Sequence, residues 1–190
     1  MDLTKRYINL LNLVTTRKSE LSNLTDFIEN ETEYLWSPAS IRYHMNKDEG
    51  LLEHSVNVAE TLLKLRKILA PEISEESCVI VGLFHDLGKA GTPGHPQYIK
   101  RDPNDRNVMA SVKTKQEFIY NPDQIYLSVP VRSIYLMLPY FPLTEEETQA
   151  IVYHDGQYVD DNRSVATREE KLTLLLQYAD NWSGFIIEKK

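Results

Sequence analysis

Apolar residues recur at helical spacing over most of the chain. Between residues 3 and 29 they fall at Leu3, Tyr7, Leu10, Leu11, Val14, Leu21, Leu24 and Phe27, which predicts an N-terminal helix. From 51 to 69, Leu51, Val58, Leu62, Leu65 and Leu69 form one stripe. Residues 75–87 read as a short, strongly apolar helix with Gly88 as its stop. Thr144-Glu-Glu-Glu147 has the form of a capping box, in which hydroxyl and carboxylate each bond the other's backbone amide. It opens a helix through Ile151 that Gly156 ends. A last helix runs from Arg168 to Ile187, with Leu172, Leu175, Leu176 and Ala179 on its apolar side. One segment breaks the period: Gln116 to Tyr120 and Gln124 to Val129 flank Asn121-Pro122-Asp123, a hairpin signal. The expected class is mainly α, with a small β excursion near 116–129. The stretch from Ala90 to Asn107, rich in Pro, Gly, Asn and Asp, reads as a loop inside a domain.

Several polar residues stand where this pattern asks for apolar ones. His54 lies in the stripe of helix 51–69. His85-Asp86 follows directly on the apolar run Val79 to Phe84. Asp180 sits one turn after Leu176, on the inward side of the last helix. A lone buried histidine is usually satisfied by a carbonyl, but three helices here each turn an imidazole or carboxylate toward one core. A buried carboxylate is costly unless it is paired or bound to metal. Two imidazoles and two carboxylates suit an octahedral divalent ion (Mn, Mg, Fe, Co or Ni) better than a tetrahedral structural zinc. Four such ligands leave two positions for water and a substrate oxygen.

The composition narrows the field. The chain has 190 residues, 42% of them apolar, about one domain's worth of chain. Cys78 is the one cysteine, so no intramolecular disulfide forms, in keeping with a reducing cytoplasm. No apolar run reaches the roughly 18 residues of a membrane span. Against 21 Lys and Arg stand 28 Asp and Glu, a net charge of −7. Duplex DNA, bound mostly through phosphate neutralisation, is a poor partner for such a chain. No G-x-S-x-G elbow and no G-x-x-x-x-G-K-[ST] loop occurs.

His54, His85-Asp86 and Asp180 resemble the H…HD…D pattern of the HD superfamily of metal-dependent phosphohydrolases. The surroundings strengthen the resemblance. Gly50-Leu-Leu-Glu-His54-Ser is similar to the family's first-histidine helix, His85-Asp-Leu-Gly-Lys89 to its H-D-x-G-K motif, and Tyr178-Ala-Asp180 to its closing helix. Ser37-Pro-Ala-Ser-Ile-Arg-Tyr-His44 resembles a subset that includes phage-encoded members and the HD domain of a bacterial 3′→5′ exoribonuclease. The likeness covers roughly residues 30–187. It implies an HD-domain helical bundle of five or more core helices around one metal site, and a single domain over 1–190 with helix 1–29 packed on it. Two departures stand out. The extra histidine that many members carry before the helix near 128–133 is missing, since that stretch reads Ser-Val-Pro-Val-Arg-Ser. His154 can stand for another such histidine, so one ion is expected rather than two. The deoxynucleotidase branch has a glutamate three residues after the H-D aspartate, and this chain has Lys89.

The resemblance implies His54, His85, Asp86 and Asp180 as metal ligands, with metal-activated water attacking phosphorus. Asp86 is the carboxylate placed to take a proton from that water. Lys89 is assigned to a substrate phosphate, against the plain reading of a solvent-facing lysine after a helix stop. His154 is assigned to the leaving oxygen or a second ion, against simple packing. Arg132 could fork onto phosphate or form a surface salt bridge. His44 reads equally as a phosphate or proton-transfer group and as a loop residue. Gln157 and Tyr158 are candidates for a base or sugar pocket, while Trp36 and Trp182 read as packing residues. The leading function is hydrolysis of a small phosphorylated substrate, a nucleotide above all, by a cytoplasmic enzyme, with a homodimer as the base-rate expectation. The alternatives are a 3′→5′ exonuclease or phosphodiesterase on single-stranded nucleic acid, and a catalytically degenerate nucleotide-binding regulator.

Overall fold

The computed structural model describes residues 2–101 and 117–189. It is mainly helical with one small antiparallel sheet. Residues 102–107 of the expected loop and Gln116 of the expected hairpin lie outside the described residues. No helix among the described residues is long and apolar enough to cross a membrane.

The N-terminal apolar pattern forms two helices, α1 (Leu3–Leu11) and α2 (Lys18–Glu31), where a single helix is expected. Leu13 and Val14 bond back to the α1 carbonyls of Leu10 and Leu11, closing α1 with a tight turn. Arg17 then bonds Glu76 and Glu147, and the chain re-enters a helix from that anchor.

α3 (Gly50–Leu69) is the central helix. The stripe predicts one buried face, yet Leu51, Leu52, His54, Ser55, Val56, Asn57, Val58 and Ala59 are all buried. α1, α4 (Glu75–Phe84) and α7 (Lys171–Trp182) pack around it. Ser74 caps α4 by accepting from the Ser77 amide, with Glu75 and Glu76 in the first turn. α4 and α3 meet at Gly82, where a Cβ would lie 2.6 Å from Ala59 Cα. Gly82→Ala is therefore expected to push the two helices apart and destabilise the fold by about 1–3 kcal/mol. Denaturant unfolding with an unchanged m-value checks this, and stability equal to wild type would contradict the close contact.

Beyond α4 a short 3-10 turn spans Leu87–Ala90. Gly88 is needed there for space. A Cβ would lie 2.3 Å from the carbonyl oxygen of Val129, the first residue of α5 (Val129–Met137). Its amide donates to Ser133 Oγ at 2.8 Å, and that hydroxyl donates to the His85 carbonyl at 2.8 Å. α5 is thus latched to the His85-Asp86 segment.

The β excursion is present, but with a different partner. β1 (Tyr98–Lys100) pairs antiparallel with β2 (Phe118–Tyr120), in the register Tyr98↔Tyr120 and Lys100↔Phe118. Residues 124–128 lead irregularly into α5, whose first turn holds Pro130. Proline has no amide to donate to a ladder, and its fixed φ suits a helix start.

The capping box at Thr144 and Glu147 forms as expected and opens α6 (Glu145–Val152). The last apolar segment starts at Lys171, three residues later than its pattern predicts, and ends in a π-helical turn, Ser183–Ile187. Trp36 and Trp182 are 58% and 56% exposed, so neither is a core packing residue.

Candidate metal centre

The centre lies where α3, the end of α4, the end of α6 and α7 converge. His54 comes from the second turn of α3, His85 caps α4, and Asp86 follows. His154 follows α6, and Asp180 lies in the last turn of α7. His54, His85, Asp86 and His154 are all nearly sealed from solvent. Asp180 keeps 22% of its side chain exposed.

His54 Nε2 is 3.1 Å from Asp180 Oδ1 and 3.6 Å from Asp86 Oδ2. His85 Nε2 is 3.5 Å from Asp86 Oδ2, and His154 Nε2 is 3.4 Å from Asp86 Oδ1. Ligand atoms of His54, His85 and Asp86 lie within 4.8 Å of one another, as do those of His85, His154 and Asp180. The imidazoles are oriented from behind. His85 Nδ1 donates to the Gly82 carbonyl at 3.0 Å, and His154 Nδ1 to the Ile151 carbonyl at 2.8 Å. Each uses a carbonyl of a helix's last turn, where the helix's own amides run out. Both rings therefore turn Nε2 into the cluster.

The donor set fits a divalent cation. His85 Nε2 is buried without a hydrogen-bond partner among the described residues, an acceptor aimed at the space between the carboxylates. Imidazole nitrogen and carboxylate oxygen together suit Mn, Fe, Co or Ni, and tolerate Mg. The residues that would hold the ion are His54, His85, Asp86 and Asp180, with His154 beside them.

Electrostatics separate the imidazoles. Burial pushes His85 down to about 4, only partly opposed by Asp86, so it is neutral and ready to ligate. Burial also opposes charge on His54, but hydrogen bonds to Asp180 and Glu188 outweigh it and raise the ring to about 9. At His154 the bond to Asp86 and the charge of Asp155 outweigh burial, again to about 9. Both rings must shed a proton to bind metal. Burial would raise the Asp86 carboxyl, yet Lys89, His85 and His154 hold it well below the usual range. Asp180 is held low against burial chiefly by His54.

Asp86, Lys89, His154 and Asp180 border a cleft of about 290 Å³, with Tyr158 and Phe185 at its mouth. Lys89, expected as either a phosphate ligand or a solvated lysine, has only 19% of its side chain exposed and bonds Asp86 Oδ2. His44 also borders the cleft, its ring 4.8 Å from that of His54. Gln157 is not among the cleft residues; it stands in an adjoining groove near Glu169.

Arg132 differs from both of its expected states. It is 2% exposed, and its guanidinium donates to the Gly88 and Ile125 carbonyls at 3.3 and 2.8 Å and to Gln97. Among the described residues it makes no salt bridge and is not one of those lining the cleft; it ties the 125–128 segment to the Gly88 turn. Phe185 and Glu188 escape sequence reasoning altogether. Glu188 is a buried carboxylate behind His54, in a region where no motif singles it out.

The HD domain family matches residues 51–181, more than two thirds of the chain, a span that includes His54, His85, Asp86 and Asp180. The chain belongs to the HD domain family. HD domains form a superfamily of metal-dependent phosphohydrolases, and the structure brings together His and Asp groups that could hold a divalent ion. No curated protein and no solved structure matches the chain.

Proposed function

We propose that this HD protein hydrolyses a phosphate ester or anhydride of a small substrate, a nucleotide, using one divalent ion. One arrangement supports this above all: His54, Asp86, Asp180, Lys89 and His154 line a single small cleft, with the ligand atom of His85 within 4.8 Å of those of His54 and Asp86. A divalent ion bound there supplies positive charge that polarises a phosphoryl oxygen and makes water a stronger acid.

The protein groups have separable tasks. Lys89 donates one ammonium N–H hydrogen bond to Asp86 and keeps its other N–H groups for a phosphate oxygen. His154, its Nδ1 committed to Ile151, presents Nε2 as the proton donor to the leaving oxygen. Asp86 is better suited to ligation than to proton transfer. Lys89 and His154 stabilise its charge, and a carboxylate so held takes protons poorly. His44 stands ready to accept or donate at the phosphate. Tyr158 and Phe185, 89% and 65% exposed, offer ring faces to a base at the mouth. The buried free thiol of Cys78 is in keeping with a cytoplasmic protein.

A second reading has its own support. The cleft opens beside a groove of about 1030 Å³ that carries Tyr158, Tyr178, Trp182 and Phe185, all exposed. Bases of a single strand stack on such rings. The net charge of −7 opposes a polyanion.

The test is phosphate release from nucleoside mono-, di- and triphosphates by metal-stripped protein resupplied with Mn, Co, Ni or Mg. Turnover that needs metal and vanishes in Asp180→Ala is expected. If every small substrate survives while the protein holds its ion, the nucleotidase reading fails. Salt-sensitive binding of single-stranded oligonucleotides would then favour the second.

A further inference from the structure

The three imidazoles of the centre face the same requirement and meet it differently. A histidine that ligates through Nε2 must keep its proton on Nδ1, and a hydrogen-bond acceptor behind the ring sets that choice. His85 and His154 sit at helix ends and use unclaimed carbonyls of the last turn. His54 sits inside α3, where the backbone carbonyls nearby are spent on the helix ladder. It needs an acceptor from elsewhere. The only carboxylate behind it among the described residues is Glu188, whose two oxygens lie 3.1 and 3.0 Å from His54 Nδ1.

Glu188 is itself held. Asn57, one turn along α3 from His54, donates through Nδ2 to Glu188 Oε1 at 2.9 Å. Its Oδ1 accepts from Arg6 Nη2 at 2.8 Å, which fixes the orientation of the amide. Arg6 is anchored by both oxygens of Glu60 at 2.9 Å. The backbone does its part through the π turn. The Glu188 amide bonds the Ser183 carbonyl at 2.9 Å, five residues back, and the extra residue turns Glu188 inward. The Glu188 side chain is fully buried, and His44 Nε2 lies 3.8 Å from Oε2. The family match ends at residue 181, short of this segment.

We infer that Glu188 is a positioning residue of the metal centre: through its bond to Nδ1 it fixes the tautomer and orientation of His54, so that Nε2 faces Asp86 and Asp180. Arg6 and Asn57 hold Glu188 for that task. The inference rests on the metal reading of the site but not on any substrate. Loss of such an outer partner typically weakens metal binding about 10- to 100-fold.

The experiment is calorimetric titration of the metal-stripped full chain with Mn²⁺ alone, for wild type, Glu188→Ala and Glu188→Gln. Histidine ¹⁵N spectra of the Zn²⁺-loaded protein accompany it. Glu188→Ala is expected to bind Mn²⁺ about 10- to 100-fold more weakly, and His54 to lose its single Nδ1-protonated form. Glu188→Gln keeps an acceptor but not the charge, so it should retain that tautomer and lose about 10-fold, the lower end of the range. A merely structural glutamate would lower the melting temperature without moving either readout. Mn²⁺ affinity within twofold of wild type in Glu188→Ala overturns the inference. So does unchanged affinity in Glu188→Gln, should the alanine variant not fold. A wild type that takes up no Mn²⁺ overturns the metal reading, and this inference with it.

Discussion

His85→Ala is expected to abolish stoichiometric binding of a divalent ion and to reduce phosphate release at least about 100-fold, the upper end for loss of an outer partner alone. The ring is buried, its Nε2 bonds nothing among the described residues, and its Nδ1 donates to the Gly82 carbonyl. Removing it costs the metal-free fold some packing but strips the centre of the imidazole that stays neutral. Thermal shift separates the two effects. An ion at a hundredfold excess over Kd stabilises a folded protein by about 2.7 kcal/mol. For a chain of this size that is a rise of about 5–10 °C. The wild type should show this rise with Mn²⁺ and His85→Ala should not. A full Mn²⁺-induced rise in the variant would remove His85 from the ligand set.

Arg17→Ala is expected to be the most destabilising single change outside the centre, by about 3–5 kcal/mol. Arg17 joins three parts of the chain. Its guanidinium bonds Glu76 at the start of α4 at 2.7 Å and both oxygens of Glu147 at 2.6 and 2.8 Å. It also bonds the Pro142 carbonyl and lies over the Phe141 ring at 4.6 Å. Glu147 is completely buried, so truncation leaves a carboxylate without its cation. A melting temperature lower by about 6–20 °C is the readout, and a drop under about 2 °C would contradict it.

The same clamp sets an acid limit. Burial would raise the Glu76 carboxyl, but Arg17, the Thr16 hydroxyl and the Thr15 and Thr16 amides outweigh it and pull it from 4.5 to about 2. The folded value is depressed, so the contribution is complete above pH 4.5 and is lost as the pH falls toward 2. Arg17→Ala should flatten the loss of stability across that window.

Much of the centre is legible in the sequence because burial contradicts residue type there. His54 in an apolar stripe, and His85-Asp86 on an apolar run, are anomalies that any folded core must resolve. What escapes is set by contacts distant in sequence. Glu188 is an ordinary acidic residue near the end of the chain until the π turn and Asn57 bring it to His54. Arg132 resembles a surface cation because two of its acceptors, the carbonyls of Gly88 and Ile125, carry no side-chain signal, and the third, Gln97, lies 35 residues away in sequence. The turn at Asn121-Pro122-Asp123 signals a local hairpin, but β2 is three residues long and pairs with β1 across residues 101–117. Such short strands alternate too briefly to name their partner. The burial of α3 on nearly every side is equally hidden, since it depends on α1, α4 and α7 closing around it.

The most direct measurement is anomalous diffraction from crystals soaked in Mn²⁺. One peak is expected among His54 Nε2, His85 Nε2, Asp86 and Asp180, at about 2.0–2.3 Å from each donor. A peak at other residues, or none in crystals whose solution protein hydrolyses phosphate, would contradict a catalytic metal centre built from these four side chains.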